Sequence, residues 1–149
     1  MLIEQKNIPY VLVDRYNVNH PSYFAGCSNY DGAVIATKAL LQLNHIKIKF
    51  VGYHFFLNSE QERYDGYCSA MRQAGLVDIQ NDFLANIDYE ILKKQILNRE
   101  VTGLICSNNR IAIKIMKTHT ELGVQVPQDV SIIGFDDLDS AQNDAIGLQ

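Results

Sequence analysis

The chain has 149 residues, enough for one self-contained core that buries about 70% of its unfolded surface. Its 17 acidic and 13 basic side chains leave a formal net charge of -4, which argues against a chain that by itself clamps nucleic acid. No apolar run approaches the roughly 20 residues that cross a bilayer, and Met1 to Lys6 lacks the basic-then-apolar pattern of a secretory signal, so no membrane contact and a cytoplasmic setting are expected.

Ile8-Pro9-Tyr10-Val11-Leu12-Val13 is a short run rich in β-branched residues that reads as a strand ending at Asp14. A polar, turn-rich stretch follows from Arg15 to Ser28, with Pro21 and Gly26 inside it. Ala33, Ala36, Leu40 and Leu43 then recur at helical spacing, with Ser28 and Asp31 as a start signal and Asn44 where a left-handed end is tolerated. Ile46 to Val51 alternates and then turns fully apolar, which predicts a strand with one partly exposed face.

Ser59-Glu60-Gln61-Glu62 has the pattern of a capping box and opens a helix with Tyr64, Cys68, Met71 and Ala74 inward, closed by Gly75. Val77 to Gln80 is a weak strand. Asp88 caps the next helix, with Ile91, Leu92 and Ile96 inward. Val101 to Cys106 is a buried strand, and Asn108 or Asn109 caps a helix that carries Ile111, Ile115 and Leu122 and ends at Gly123. The segment from Val124 to Asp137 turns, makes one buried strand and stops on Asp136 and Asp137. The regular alternation of strand and helix predicts an α/β fold, a doubly wound, Rossmann-like parallel sheet with helices on both faces.

Open sheets of this kind bind ligands outside the carboxyl ends of their strands. The loops expected on that rim supply Asp14, then Tyr53 to Ser59, then Phe83, then Ser107-Asn108-Asn109, and finally Asp136-Asp137. Arg63 lies one turn into the helix after the second loop, within reach of the same rim. Carboxylates, an amide, a hydroxyl and a guanidinium around an aromatic plate suit a sugar or a nucleobase, so Asp14, Ser59, Arg63, Phe83, Asn108 and Asp136 are the candidate ligand-binding residues. Each has a plainer reading. Asp136 and Asp137 also suit a solvated turn, Arg63 a surface ion pair, Asn108 a helix cap and Phe83 a core plug. The cluster Tyr53-His54-Phe55-Phe56 reads as a pocket wall or an interface.

His45 and His119 have no partnered Ser or Cys and no metal-ligand spacing, so no catalytic residue, metal or cofactor is assigned. Cys27, Cys68 and Cys106 are too scattered for a disulfide framework or a zinc site. A magnesium-binding acidic pocket at Asp136-Asp137, as in phospho-accepting receiver domains, is disfavoured because such domains need a Lys from a later strand.

The chain resembles the LacI/GalR family of bacterial regulators. The resemblance rests on Ile8-Pro9-x-Val11-Leu12-Val13-Asp14, Asn29-x-x-Gly32-Ala33, Ala36-Thr37-x-x-Leu40 leading into His45, Glu62-Arg63-x-x-Gly66-Tyr67, Cys106-Ser107-Asn108-Asn109-x-x-Ala112, and the strand from Val126 to Asp137. It implies a periplasmic-binding-protein-like, two-lobed effector-binding core that forms a homodimer and changes its affinity for operator DNA when a small molecule binds. In the family the effector is held by residues that Asp14, Arg63, Asn108 and Asp136 match. A stacking Phe of purine-binding relatives is matched in part by Asn81-Asp82-Phe83. The family's Leu-Gly-His is Leu43-Asn44-His45 here, and its Ser-Asn-Asp is Ser107-Asn108-Asn109, which removes one acidic acceptor.

The same resemblance implies that residues 1–28 are the last strand and crossover of an N-terminal lobe and residues 29–149 the C-terminal lobe. DNA contact is expected only through a helix-turn-helix outside this chain. The expected function is therefore effector sensing and dimerisation in a transcriptional regulator, with a sugar as the favoured ligand. A solute-binding transport receptor of the same lobed type is the alternative.

Overall fold

A computed structural model describes residues 6, 8–14, 16, 22–52, 58–76, 82–83 and 87–136, with the side chains of residues 82 and 83 excepted. Its elements are β1 (Val11–Val13), β2 (Tyr23–Ala25), α1 (Asn29–Gln42), β3 (Ile48–Gly52), α2 (Asn58–Gln73), β4 (Asp82–Phe83), α3 (Tyr89–Leu97), β5 (Gly103–Cys106), α4 (Asn109–Glu121) and β6 (Ser131–Ile133). All the pairings are parallel. They form a four-stranded sheet in the order β4-β3-β5-β6 and a separate two-stranded sheet of β1 and β2.

Alternation along the strands puts one core on each face of the larger sheet. Ile48, Phe50 and Ile105 point toward α1 and α2, where Leu40, Tyr67 and Met71 meet them. Val51, Leu104, Cys106 and Ile132 point the other way, onto Leu92 and Ile96 of α3 and Ile111 and Ile115 of α4. This is the doubly wound arrangement expected from the sequence. Chain order reverses between β3 and β5, because β4 returns to one side of β3 and β5 goes to the other. The crevice at that reversal is where such sheets hold ligands.

Several local expectations need correction. The stretch from Arg15 to Ser28, read as loop, contains β2, a short exposed strand that pairs with β1 through the register Leu12↔Phe24. Consequently β1 lies outside the four-stranded sheet, and Asp14 does not share its rim. β3 begins at Ile48 rather than Ile46 and is buried along its whole length. Lys49 survives there because its ammonium reaches Gln95 Oε1 of α3 at 3.0 Å.

Ala74 and Ile91, expected inward, are exposed, as is Leu43, the last residue of the helical spacing in α1. Leu43 and Ala74 sit at or past their helix ends, and Ile91 lies off the buried Leu92–Ile96 stripe. The expected strand over residues 77–80 and the aromatic cluster over residues 53–56 fall outside the described residues, as does Asp137.

Helix ends follow local chemistry. Asp88 accepts from the Glu90 and Ile91 amides, and Asn108 accepts from the Ile111 amide at 3.1 Å, each satisfying a first-turn donor. Ser28 stands at the cap of α1, but its hydroxyl donates to Asp31 Oδ2 at 2.6 Å. α1 and α2 approach closely through Gly66: a Cβ there would run into the Tyr30 carbonyl oxygen and lie 2.9 Å from Ala33 Cβ.

Candidate functional site

The first half of α2 leans over the crevice between β3 and β5, and its polar side chains fasten the surrounding elements to one another. Glu60 is buried and accepts from the Ser107 hydroxyl at 2.9 Å, just past the end of β5. One turn on, Arg63 is 6% exposed, and acceptors surround its guanidinium. Its Nε donates to Asn29 Oδ1 at 2.9 Å, its Nη1 donates to the Ser107 carbonyl, and its Nη2 lies 3.4 Å from Asp136 Oδ1. Phe135 covers one side of the guanidinium, with Cζ 4.4 Å from the ring centre.

β6 delivers Phe135 and Asp136 to this place. The Asn109 amide donates to the Phe135 carbonyl at 2.7 Å, and its side-chain amide donates to the Asp136 carbonyl, so the first residue of α4 fixes the turn after β6. Asp136 adopts φ +74 and Asp14, at the end of β1, adopts φ +68. Asp accepts the left-handed region more readily than most residues, and such conformations collect at binding sites. The Asp136 carboxylate is half-exposed, which leaves it acceptor capacity beyond its long contact with Arg63.

A second layer ties the arginine to the crossover after β1. Asn29, itself buried, donates through Nδ2 to Glu62 Oε2 at 3.0 Å, and Glu62 Oε1 accepts the Tyr16 hydroxyl at 2.8 Å. Asn58 donates to the Tyr16 carbonyl at 2.9 Å. The Glu62 carboxylate, by accepting that hydroxyl's bond and by repelling its phenolate, holds the Tyr16 pKa above its ordinary value.

Among the six candidates, the structure brings Arg63 and Asp136 into contact and sets Asn108 beside Ser107, whose carbonyl Arg63 holds. The Asn108 side chain also caps α4, so its two readings coexist. Ser59 lies inside the first turn of α2, which begins at Asn58, so it is not the cap that its pattern suggested. Glu62, expected to complete that capping box, turns instead to Asn29 and Tyr16. Phe83 is placed in β4 opposite Gly52 rather than in a loop, and its ring is outside the described residues. Asp14 ends β1, with its amide donating to the Ala25 carbonyl at 3.0 Å.

Reading by sequence missed Tyr16, Asn29, Glu60, Glu62 and Phe135. Asn29, Glu62 and Phe135 carried a signal as members of quoted motifs and Glu60 as part of the capping-box pattern; Tyr16 carried none. Among the described residues no cluster of His, Cys, Asp and Glu could hold a metal ion. Burial pushes the Cys106 thiol far up its scale, which suppresses thiolate chemistry there. A hollow of about 460 Å³ lies elsewhere, lined by Ile8, Pro9, Tyr10, Ser22 and Tyr23 along the β1–β2 sheet. Among the described residues its lining is largely apolar and uncharged, so it suits a polyhydroxylated ligand poorly.

Residues 37–146 match the model of the periplasmic binding protein-like domain. The chain belongs to that family. Two curated relatives are repressors. The chain is 34% identical over 119 residues to the "HTH-type transcriptional repressor PurR" of Glaesserella parasuis serovar 5, covering 75% of this chain and 35% of that protein. It is 29% identical over 149 residues to the "Arabinose metabolism transcriptional repressor" of Halalkalibacterium halodurans, covering 91% of this chain and 38% of that protein. A solved LacI family transcriptional regulator from Enterococcus faecalis V583, with bound ribose, superposes with a TM-score of 0.80 at 26% identity, covering 98% of this chain and 54% of that one. The resemblance to LacI-type regulators read from the motifs is thus borne out. The chain spans well under half the length of the two curated relatives.

Proposed function

We propose that the chain is the effector-sensing and dimerisation region of a LacI/GalR-type transcriptional regulator and that its ligand is a small polyhydroxylated molecule, a pentose in the first instance. The observation that carries this reading is the buried Arg63, held by Asn29 and Ser107 and backed by Phe135, beside the half-exposed Asp136 at the reversal point of the sheet. A fixed guanidinium edge and a carboxylate can bind neighbouring hydroxyls, the first donating and the second accepting. Asn108 stands next in line, and Asp14 is assigned to the opposite wall of the cleft. Ser59 and Phe83 are assigned to its margin. Ribose bound to the Enterococcus faecalis regulator and the repressor relatives support the choice of ligand class over a transport role.

In this reading, residues 1–28 belong to an N-terminal lobe and residues 29–149 to a C-terminal lobe. Ligand bridges them and shifts the population toward the closed arrangement. Operator contact is made by a helix-turn-helix outside this chain, in a homodimer in the cytoplasm, and no catalytic step is assigned. A thermal-shift screen of the protein with D-ribose, L-arabinose and hypoxanthine tests it. A ligand at 100 times its dissociation constant adds about 2.7 kcal/mol of stability. A pentose-dependent rise that Asp136→Ala abolishes is expected. No rise with any of the three, at concentrations up to the solubility limit, contradicts the reading.

A further inference from the structure

We propose that Asn29 is a positioning residue for Arg63, and that Tyr16, Glu62 and Asn29 form a hydrogen-bond relay, converging from both sides on the Glu62 carboxylate, that couples the arginine to the crossover following β1. The proposal rests on Arg63 being the effector arginine and adds how its state is transmitted. Asn29 is the first residue of α1, and Glu62 and Arg63 are adjacent on α2, so one amide clips two helices together. The direction of every bond is forced. Arg63 Nε can only donate, so Asn29 must present Oδ1 to it; Nδ2 then faces Glu62 Oε2, which can only accept while ionised. The remaining Glu62 oxygen accepts the Tyr16 hydroxyl at 2.8 Å. No member can rotate or leave without unpairing its neighbour, and Asn29 and Arg63 are too buried for water to compensate.

The chain of bonds is also a polar link from the Arg63 crevice to the β1–β2 segment, reinforced where Asn58 holds the Tyr16 carbonyl and beside the Cys27 thiol, which donates to Asn29 Oδ1 at 3.7 Å. A ligand that draws the guanidinium toward Asp136 must lengthen or re-aim the Arg63–Asn29 bond, and the relay carries that strain to residue 16. Coupling is reciprocal, so a change at Tyr16 alters the arginine as well.

The test is a proton–nitrogen correlation spectrum of the protein, following the Arg63 Nε–H signal, assigned by its loss in Arg63→Lys. Asn29→Ala is expected to speed exchange of that proton by about tenfold or more, since a charge-assisted bond is lost. Tyr16→Phe removes a hydroxyl that does not touch Arg63, yet it is expected to move the Arg63 Nε–H signal. Glu62→Gln, which retains an acceptor oxygen, is expected to shift it less than Glu62→Ala. An Arg63 Nε–H signal unmoved in Tyr16→Phe and Glu62→Ala overturns the relay. Should Asn29→Ala unfold, the other two variants still decide. D-ribose added to the wild type separates the two ideas: absence of any ribose-induced shift counts against the effector reading, while the variants judge the relay without ligand.

Discussion

The Cζ of Arg63 lies 4.4 Å from the centre of the Phe135 ring. Phe135 is the residue before Asp136, so one short segment after β6 supplies both the plate that fixes the guanidinium and the carboxylate beside it. Gly32 admits the ring, since a Cβ there would come within 3.0 Å of Phe135 Cε1. Position, not charge alone, is what this segment gives the arginine, and Lys cannot substitute for a planar fork held this way. Arg63→Lys is expected to lose about 1–3 kcal/mol of stability, because Asn29 Oδ1 and the Ser107 carbonyl lose donors in a buried place. Urea denaturation measures it; an unchanged midpoint would mean that Arg63 is not held as described.

Asp136 should behave in the opposite way. Its side chain is 52% exposed and its contact with Arg63 is 3.4 Å, so a surface-like pair of this kind contributes little. Asp136→Asn is expected to change stability by no more than about 0.5 kcal/mol while weakening pentose binding by at least about tenfold. Denaturation and calorimetric titration of the same variant separate the two effects.

Gly66 tests the packing that brings Arg63 over the sheet. Gly66→Ala would press a methyl into the Tyr30 backbone carbonyl and against Ala33. Backbone cannot step aside as a flexible side chain does, so α1 and α2 must splay. The expected cost is about 1–3 kcal/mol, despite the better helix propensity of Ala. A stabilised Gly66→Ala would show that the two helices are not in contact there.

His119 sets a pH dependence. It is buried, its Nδ1–H donates to the Ile115 carbonyl at 2.9 Å, and its Nε2 has no partner among the described residues. The neighbouring Tyr89 hydroxyl is likewise unpartnered, with ring centres 6.1 Å apart. Burial lowers the His119 pKa below its usual 6.5, with Lys93 acting in the same direction and the Ile115 bond and Glu90 against it. The unfolded chain therefore binds the proton first. Stability is complete above pH 6.5 and falls as the pH drops below it toward the folded pKa. His45, lowered by burial as well, adds with the same sign. Urea midpoints measured between about pH 5 and 7.5 should rise with pH, and His119→Gln should flatten most of that slope. A slope of the opposite sign would contradict the burial of a neutral ring.

The sequence disclosed those features that local chemistry decides. The α4 cap at Asn108, the turn at Gly123, the Asp88 cap and the buried β5 are each written in a few adjacent residues, and each is found in place. β2 was hidden because Tyr23-Phe24-Ala25 is three exposed residues with no alternation, inside a turn-rich stretch. Sheet membership is not local at all, so nothing in Val11-Leu12-Val13 says that β1 pairs away from the main sheet. The acidic residues of α2 misled for a related reason. Ser59-Glu60-Gln61-Glu62 fits a capping box, but tertiary partners compete for its carboxylates, and Ser107 and Asn29 win them. Arg63 and Asp136 were legible as candidates for one site; the residues that hold Arg63 were not.

The most direct measurement is a crystal structure of the protein with D-ribose at saturating concentration. The account predicts sugar hydroxyls within hydrogen-bond reach of Asp136 Oδ1 and Arg63 Nη2, with Asn108 alongside. Ribose seated instead in the hollow lined by Ile8, Tyr10 and Tyr23, with the Arg63–Asp136 crevice empty, would contradict it.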